Sequence, residues 1–218
     1  IWVTGVQTCA LPICAAQLLI VLGAIPLRVI DREHARATRR CVIVANHSSY
    51  LDGLFVIAAL PHPCRFVAKR ELARIPLIGL FLRRMNVVFV ERFDARTSVE
   101  DAQHLADLTR RGESCIFFPE GTFTRAPGLL PFHLGAFSAA VAAGVPVLPI
   151  ALQGTRALLR DEQWLPRRSP VTVHIGSPIE SPRGDARFPA IVALRDVARK
   201  MIGERCGEPD LLGVTCER

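Results

Sequence analysis

The residues best suited to chemistry stand in one run, Asn46-His47-Ser48-Ser49-Tyr50-Leu51-Asp52. A histidine and an aspartate five positions apart point ~140° away from each other on a helix, so they share no helical face. They meet only if His47 lies on a strand-to-helix turn and Asp52 lies in the first helical turns. In that arrangement a carboxylate on one ring nitrogen fixes the tautomer and stabilises the imidazolium. The other nitrogen can then take a proton from an alcohol. This is the base and orienter of a catalytic triad, with no protein nucleophile required. A second group is Phe118-Pro119-Glu120-Gly121-Thr122, where a strand runs into a turn bearing a carboxylate, a glycine and a hydroxyl. Gly121 lets the backbone approach a ligand closely, its neighbouring N–H groups can face an anion, and Glu120 can bind substrate hydroxyls. The third group is Val88-Phe89-Val90-Glu91-Arg92, an arginine at a strand's end and so well placed for a phosphate. Taken singly, each group has a plain structural explanation. These are a capping Ser-Ser turn with an incidental histidine, an ordinary Pro-Glu-Gly turn, and a surface arginine.

The elements that must position these residues alternate between strand and helix. Ile25 to Ile30 reads as a strand, Asp31 to Arg40 as a polar connection, and Cys41 to Ala45 as a buried strand. Ser48 and Ser49 are natural caps for a helix over 50–60. Strands follow over 65–69 and 86–90, separated by an apolar stretch with arginine flanks. A helix over 98–111 takes Ser98 as its N-cap and stops at Gly112. Strands over 115–118, 147–152 and 171–175 alternate with a small-residue helix over 133–143, and an amphipathic helix covers 188–205. The expectation is a single α/β domain with a mostly parallel or mixed central sheet flanked by helices.

The 218 residues suit one domain with a real core, and half of them are apolar, which excludes a disordered or fibrous chain. The net charge is +7, with Lys69 and Lys200 the two lysines and arginine the rest of the basic set. Arginine's planar fork suits phosphate and carboxylate, so an anionic partner is expected. Residues 3–13 resemble an in-frame translation of a sequencing adapter, and residues 1–14 are therefore read as a non-native scar. Residues 15–30 are read as the end of an apolar helix, lying on a membrane or packing on the core, and the first strand. Residues 31–206 form the main domain and 207–218 a C-terminal tail. Cys41, Cys64, Cys115, Cys206 and Cys216 form no CxxC pair, which reads as reduced thiols rather than a zinc site.

Taken together and in this order, the motifs resemble the glycerophospholipid acyltransferase family. Its first block, NHxSxxD, is matched by Asn46, His47, Ser49 and Asp52; its second, an apolar strand ending in arginine, by Phe89 and Arg92. Its third, FPEGT, is matched by Phe118, Pro119, Glu120, Gly121 and Thr122; its fourth, V-P-x-x-P, by Val145, Pro146 and Pro149. Leu130-Pro131-Phe132 and Gly135-Ala136-Phe137 add agreement, and the resemblance covers residues 20–182. Two positions depart from it. Phe123 stands where many members have arginine or threonine, with Arg125 available for the basic role, and His133 stands where many have lysine.

The resemblance implies transfer of a fatty acyl group from acyl-CoA or acyl-carrier protein to the free hydroxyl of a lysophospholipid, 1-acylglycerol-3-phosphate first. A remodelling enzyme acting on other lysophospholipids is the alternative. His47 would be the base, Asp52 its orienter, Arg92 the phosphate ligand, and Glu120 and Gly121 would place the glycerol. A backbone N–H near Gly121 or Ser48 would face the oxyanion. No metal or redox cofactor is implied. The basic, apolar stretch 65–92 suits an anionic membrane surface, which puts the protein on the cytoplasmic face of the cell membrane. A hydrolase is disfavoured by the lack of a G-x-S-x-G elbow, and a pure lipid-binding module by the His47/Asp52 pair. Nucleic-acid binding is disfavoured by the lack of a recognised module or stacking pattern.

Overall fold

The computed structural model describes residues 11–84, 87–90, 95–159, 165, 167–182 and 188–211. Among these residues, seven strands form one sheet: β1 (Leu27–Ile30), β2 (Val42–Ala45), β3 (Cys64–Lys69), β4 (Val88–Val90), β5 (Ser114–Phe117), β6 (Val147–Gln153) and β7 (Val171–Ile175). Their spatial order is β1-β7-β6-β2-β5-β3-β4. Five neighbouring strands, β6 through β4, run parallel; β7 pairs antiparallel to β6, and β1 follows β7. The sheet is thus mixed.

Central strand β2 shows why this segment is a strand. Val42 and Val44 enter one core cluster, while Ile43 and Ala45 enter the other, so both faces of the strand are buried. A strand covered on both sides needs a continuous apolar run rather than alternation. On the Val42 face pack α5 (Ala95–Arg110), α6 (Gly135–Ala143) and α8 (Phe188–Cys206). On the Ile43 face pack α1 (Leu11–Leu22), α2 (Arg32–Ala37) and α3 (Asp52–Ala59). A 3-10 turn over Arg70–Arg74 and α4 (Pro76–Arg84) lie between β3 and β4, and the short α7 (Thr155–Leu158) follows β6.

Of the differences from the sequence expectation, three bear on the site and its surroundings. The polar connection after β1 contains α2, because tertiary contacts override its weak local signal. Ala35 is fully buried there, His34 Nδ1–H donates to Ile175 O (2.9 Å), and His62 Nε2 reaches the carbonyls of Ala35 and Thr38 at 3.1 Å each. Helix α3 starts at Asp52 rather than 50, with Ser49 Oγ accepting the Leu51 N–H in the turn before it. Helix α5 begins at Ala95, so Ser98 lies inside it and not at its cap. Residues 1–10, most of the stretch read as a scar, lie outside the described residues.

Cys41, Cys115 and Cys206 are buried free thiols. Burial pushes the Cys41 thiol up to about 12 and the Cys115 thiol up to about 11, the hydrogen bonds of each only partly offsetting it. Since the thiolate is the nucleophile, both should react with iodoacetamide at pH 8 at least ~10²-fold more slowly in the native protein than in urea. Mass spectrometry of labelled peptides checks this. Native labelling at the unfolded rate would contradict the buried placement.

Candidate active site

The first and third motifs meet beyond the carboxyl ends of β2 and β5, whereas Val145 and Pro146 of the fourth precede β6 at its amino end; the neighbours of β2 connect to opposite faces of the sheet. Crevices at such points bind ligands in open α/β sheets. Asn46 follows β2 directly and is almost fully buried. Its Nδ2 donates to Leu152 O (3.0 Å), and its Oδ1 accepts the Leu152 N–H (2.7 Å). The side-chain amide therefore takes the place of a peptide unit in the β2–β6 ladder, and the main chain is released to turn at His47. Asn46→Ala would leave both Leu152 groups buried and unpaired, lowering stability by about 2 kcal/mol. Urea unfolding measures this loss.

The turn is wound around Asp52, which is fully buried. One oxygen, Oδ2, accepts the N–H groups of Ser48 (2.6 Å) and Ser49 (2.8 Å) and faces His47 Nδ1 at 2.8 Å. A carboxylate in that setting is an acceptor only, so the proton is on Nδ1 and the lone pair on Nε2. Among the described residues, Oδ1 of Asp52 has no hydrogen-bond partner. Ser49 Oγ donates to Leu159 O (2.8 Å), and Ser48 Oγ lies 3.0 Å from the Thr155 hydroxyl, so both serines are structural anchors.

The imidazole is held on its faces as well as its edge. Phe118 stacks against it, with ring centroids 4.3 Å apart and planes 20° apart. Phe123 meets it edge-on at 4.5 Å, and Tyr50 in turn meets Phe123 at 4.8 Å. An aromatic face favours an adjacent cation, which suits a base that becomes imidazolium. The roles of Phe123 and Tyr50 were not read from the sequence. The departure at Phe123 was the available signal, since an aromatic following a Gly-Thr turn has no structural duty of its own.

Glu120 takes a place different from the one expected. It is buried, its Oε1 accepts the His47 N–H (2.6 Å), and its Oε2 accepts the Leu130 N–H (2.8 Å). Each oxygen thus already serves the backbone, and the carboxylate fastens the His47 turn to the segment beyond the loop. Burial pushes Glu120 up to about 7 against the downward pull of these two bonds, with the nearby Asp52 and Glu208 charges adding to the rise. Pro119 is buried beside it, and its carbonyl accepts the His133 N–H (2.9 Å). Gly121 adopts a φ of 73°, the left-handed conformation that favours glycine, and donates its N–H to Phe118 O (2.9 Å). The two amides named from sequence for the oxyanion, Gly121 and Ser48, are therefore both engaged by the protein itself. Thr122 and Arg125 lie exposed on the loop that follows. Arg92 lies outside the described residues. Strand β4 ends two positions before it, at Val90, and its carboxyl end faces the same way as that of β2, which leads to His47.

A family profile described as Acyltransferase matches residues 26–153. The chain belongs to the acyltransferase family. It is 36% identical over 165 residues to a chloroplastic 1-acyl-sn-glycerol-3-phosphate acyltransferase of Brassica napus, covering 75% of this chain and 46% of that one. It is 32% identical over 146 residues to the human 1-acyl-sn-glycerol-3-phosphate acyltransferase beta, covering 66% of this chain and 52% of that one. The crystal structure of the 1-acyl-sn-glycerophosphate acyltransferase from Thermotoga maritima matches with a TM-score of 0.71 at 26% identity, over 88% of this chain and 77% of that chain. The chain spans about half the length of the curated relatives it matches. The family match takes in β1 to β6 and closes at Gln153. The His47 turn and the Glu120 turn both fall inside it, whereas α7, β7 and α8 lie beyond.

Proposed function

We propose that the chain carries the catalytic centre of a 1-acylglycerol-3-phosphate O-acyltransferase, using acyl-CoA or acyl-carrier protein as donor. The observation that carries this reading is the His47–Asp52 pair. A partly exposed imidazole is oriented by a buried carboxylate whose facing oxygen is itself fixed by two backbone N–H groups. His47 Nε2 takes the proton of the acceptor hydroxyl as that oxygen attacks the thioester carbonyl. The tetrahedral intermediate collapses with cleavage of the C–S bond, and the proton passes from the imidazolium to the departing sulfur. No acyl-enzyme forms, and the thioester supplies the driving force without a metal or redox cofactor. Arg92 is assigned to the acceptor phosphate, with Thr122 and Arg125 on the acceptor side.

The acceptor is a lipid, and the membrane proposal rests on α1. Ala16 and Ile20 pack inward, and Gln17 Nε2 donates to Ala58 O on α3 (3.2 Å), while Leu18, Leu19, Val21 and Leu22 are exposed. No helix among the described residues is long and apolar enough to cross a membrane. An apolar face on a short helix suits partial insertion at an interface. Because β1 runs opposite to β2, the chain leaves α1 for the sheet at the same end of the strands as the His47 turn. We place this face on an anionic, cytoplasmic membrane surface.

A specific observation supports a second acceptor class. Phe123 against His47 places an apolar ring where many family members have a polar arginine or threonine, which suits a phosphodiester head group such as that of lysophosphatidylethanolamine or lysophosphatidylglycerol over the more highly charged phosphate monoester. One panel decides: radiolabelled acyl-CoA and acyl-carrier protein against lysophosphatidate and these two lipids. Highest kcat/KM with lysophosphatidate is expected. Transfer to none of the acceptors would overturn the acyltransferase proposal.

A further inference from the structure

The loop over 121–130 leaves the site at Glu120 and returns to it at Leu130, and it carries Thr122, Phe123 and Arg125. Glu120 holds its far end at Leu130, and the other charged side chains that grip its backbone come from beyond the family match. Arg156 of α7 donates through Nη1 to Thr124 O and to Arg125 O. Its Nε donates to Glu208 Oε1 (2.6 Å), and Glu208 Oε2 accepts the Gly128 N–H (2.7 Å). Arg199 of α8 donates through Nη2 to Leu129 O (2.9 Å), forks onto both oxygens of Asp210 (2.7 Å each), and lies 5.8 Å from the Phe132 ring centre. The backbone completes the join, with Leu129 N–H donating to Pro209 O (2.8 Å) and Leu211 N–H to Leu129 O (3.4 Å). A Cβ on Gly128 would sit 2.4 Å from Leu211 Cδ1, so glycine there gives Leu211 its seat.

The side chains of Arg156, Glu208 and Arg199 are 13%, 10% and 7% exposed. Charges withdrawn from water this far return little net stability, because desolvation offsets the attraction. What a satisfied network of this kind supplies is one conformation in place of several. Here the conformation fixed is that of the loop whose Phe123 ring touches His47.

We propose that the segment 207–211, with Arg156 and Arg199, is a buckle that positions the acceptor loop, and that Arg156 and Glu208 are positioning residues for the lysophospholipid head group. This rests on the acyltransferase reading above. It also changes the reading of residues 207–211, from a tail to part of the machinery around the site.

The test uses the full chain and two readouts. Glu208→Gln keeps the shape and removes the charge that joins Arg156 to Gly128. It should raise the KM for lysophosphatidate about tenfold while leaving the acyl-CoA KM unchanged. Backbone amides of 121–130 should exchange hydrogen about tenfold faster than in wild type, with β2 and β5 unaltered. The double variant with Arg156→Gln should be little worse than either single one, and Arg156→Lys should recover part of the loss. Unchanged loop exchange, exchange that rises equally in the loop and the core strands, or acceptor and donor KM rising together would each overturn the buckle. A wild-type chain that acylates no lysophospholipid would overturn the function reading instead, and the exchange measurement would still decide the buckle.

Discussion

His47→Ala is expected to lower turnover by ~10²–10⁴-fold, the usual range for removing a general base. The measurement is kcat with saturating acyl-CoA and lysophosphatidate, and near-wild-type turnover would falsify the assigned base. Asp52 allows a finer test, because its two oxygens are used so differently. Ser48 and Ser49 point N–H groups at Oδ2, while Oδ1 has no partner among the described residues. In Asp52→Asn the amide oxygen is therefore held at the Oδ2 position, since an NH2 there would face two donors. His47 Nδ1–H keeps its acceptor and the ring its tautomer, and only the charge opposite the imidazolium is lost. The expected loss is about 10–10²-fold, smaller than for His47→Ala, because orientation survives. Loss in Asp52→Asn as large as in His47→Ala would mean that charge, not orientation, is the larger part of what Asp52 supplies.

Stability should fall by about 3 kcal/mol as pH rises from about 5 to about 8, through Glu120 alone. Burial raises this carboxyl from 4.5 to about 7 in the folded protein. Between those values the native state binds more protons than the unfolded state, so stability decreases as pH rises. Below the unfolded value the group is neutral in both states and adds no penalty; above the folded value the penalty is complete. Glu120→Gln cannot ionise. It sets one amide NH2 against a backbone N–H, which costs a pH-independent ~1–3 kcal/mol, but it should remove this part of the pH slope. Urea unfolding at pH 5, 6, 7 and 8 compares the two slopes. Parallel slopes for wild type and variant would show that Glu120 titrates normally.

The parts of this fold that the sequence displays are those encoded by neighbours in the chain. The run Val42 to Ala45 shows a strand buried on both faces, and β7 and α8 lie at their expected positions. The His47–Asp52 contact was legible because both residues belong to one turn, so a single assumption about that turn brings them together. Glu120 was legible as a site residue but not in its task. Its partners, the amides of His47 and Leu130, lie 73 and 10 positions away, and no spacing rule announces a carboxylate that accepts backbone N–H groups. The same limit hid the bond between Asn46 and Leu152, 106 positions apart, and the grip of Arg199 on Leu129, 70 positions apart. Helix α2 was missed because its stability comes from Ala35 and two histidine contacts to distant carbonyls, not from its own sequence.

The amide of Asn46 gives His47, the proposed base, an address in the sheet. It reads the strand beside it at one peptide, Leu152, and His47 is the next residue along the chain. One residue of slip in β6 carries that peptide ~3.3 Å along the strand. The base would then be drawn away from Phe118 and the Glu120 turn, which ride on β5 and would not move with it. Lengthening the connection between α6 and β6, over 144–146, is a change the chain can absorb. Inserting one residue between Val147 and Leu152 is not, because strand register and the position of His47 are the same quantity.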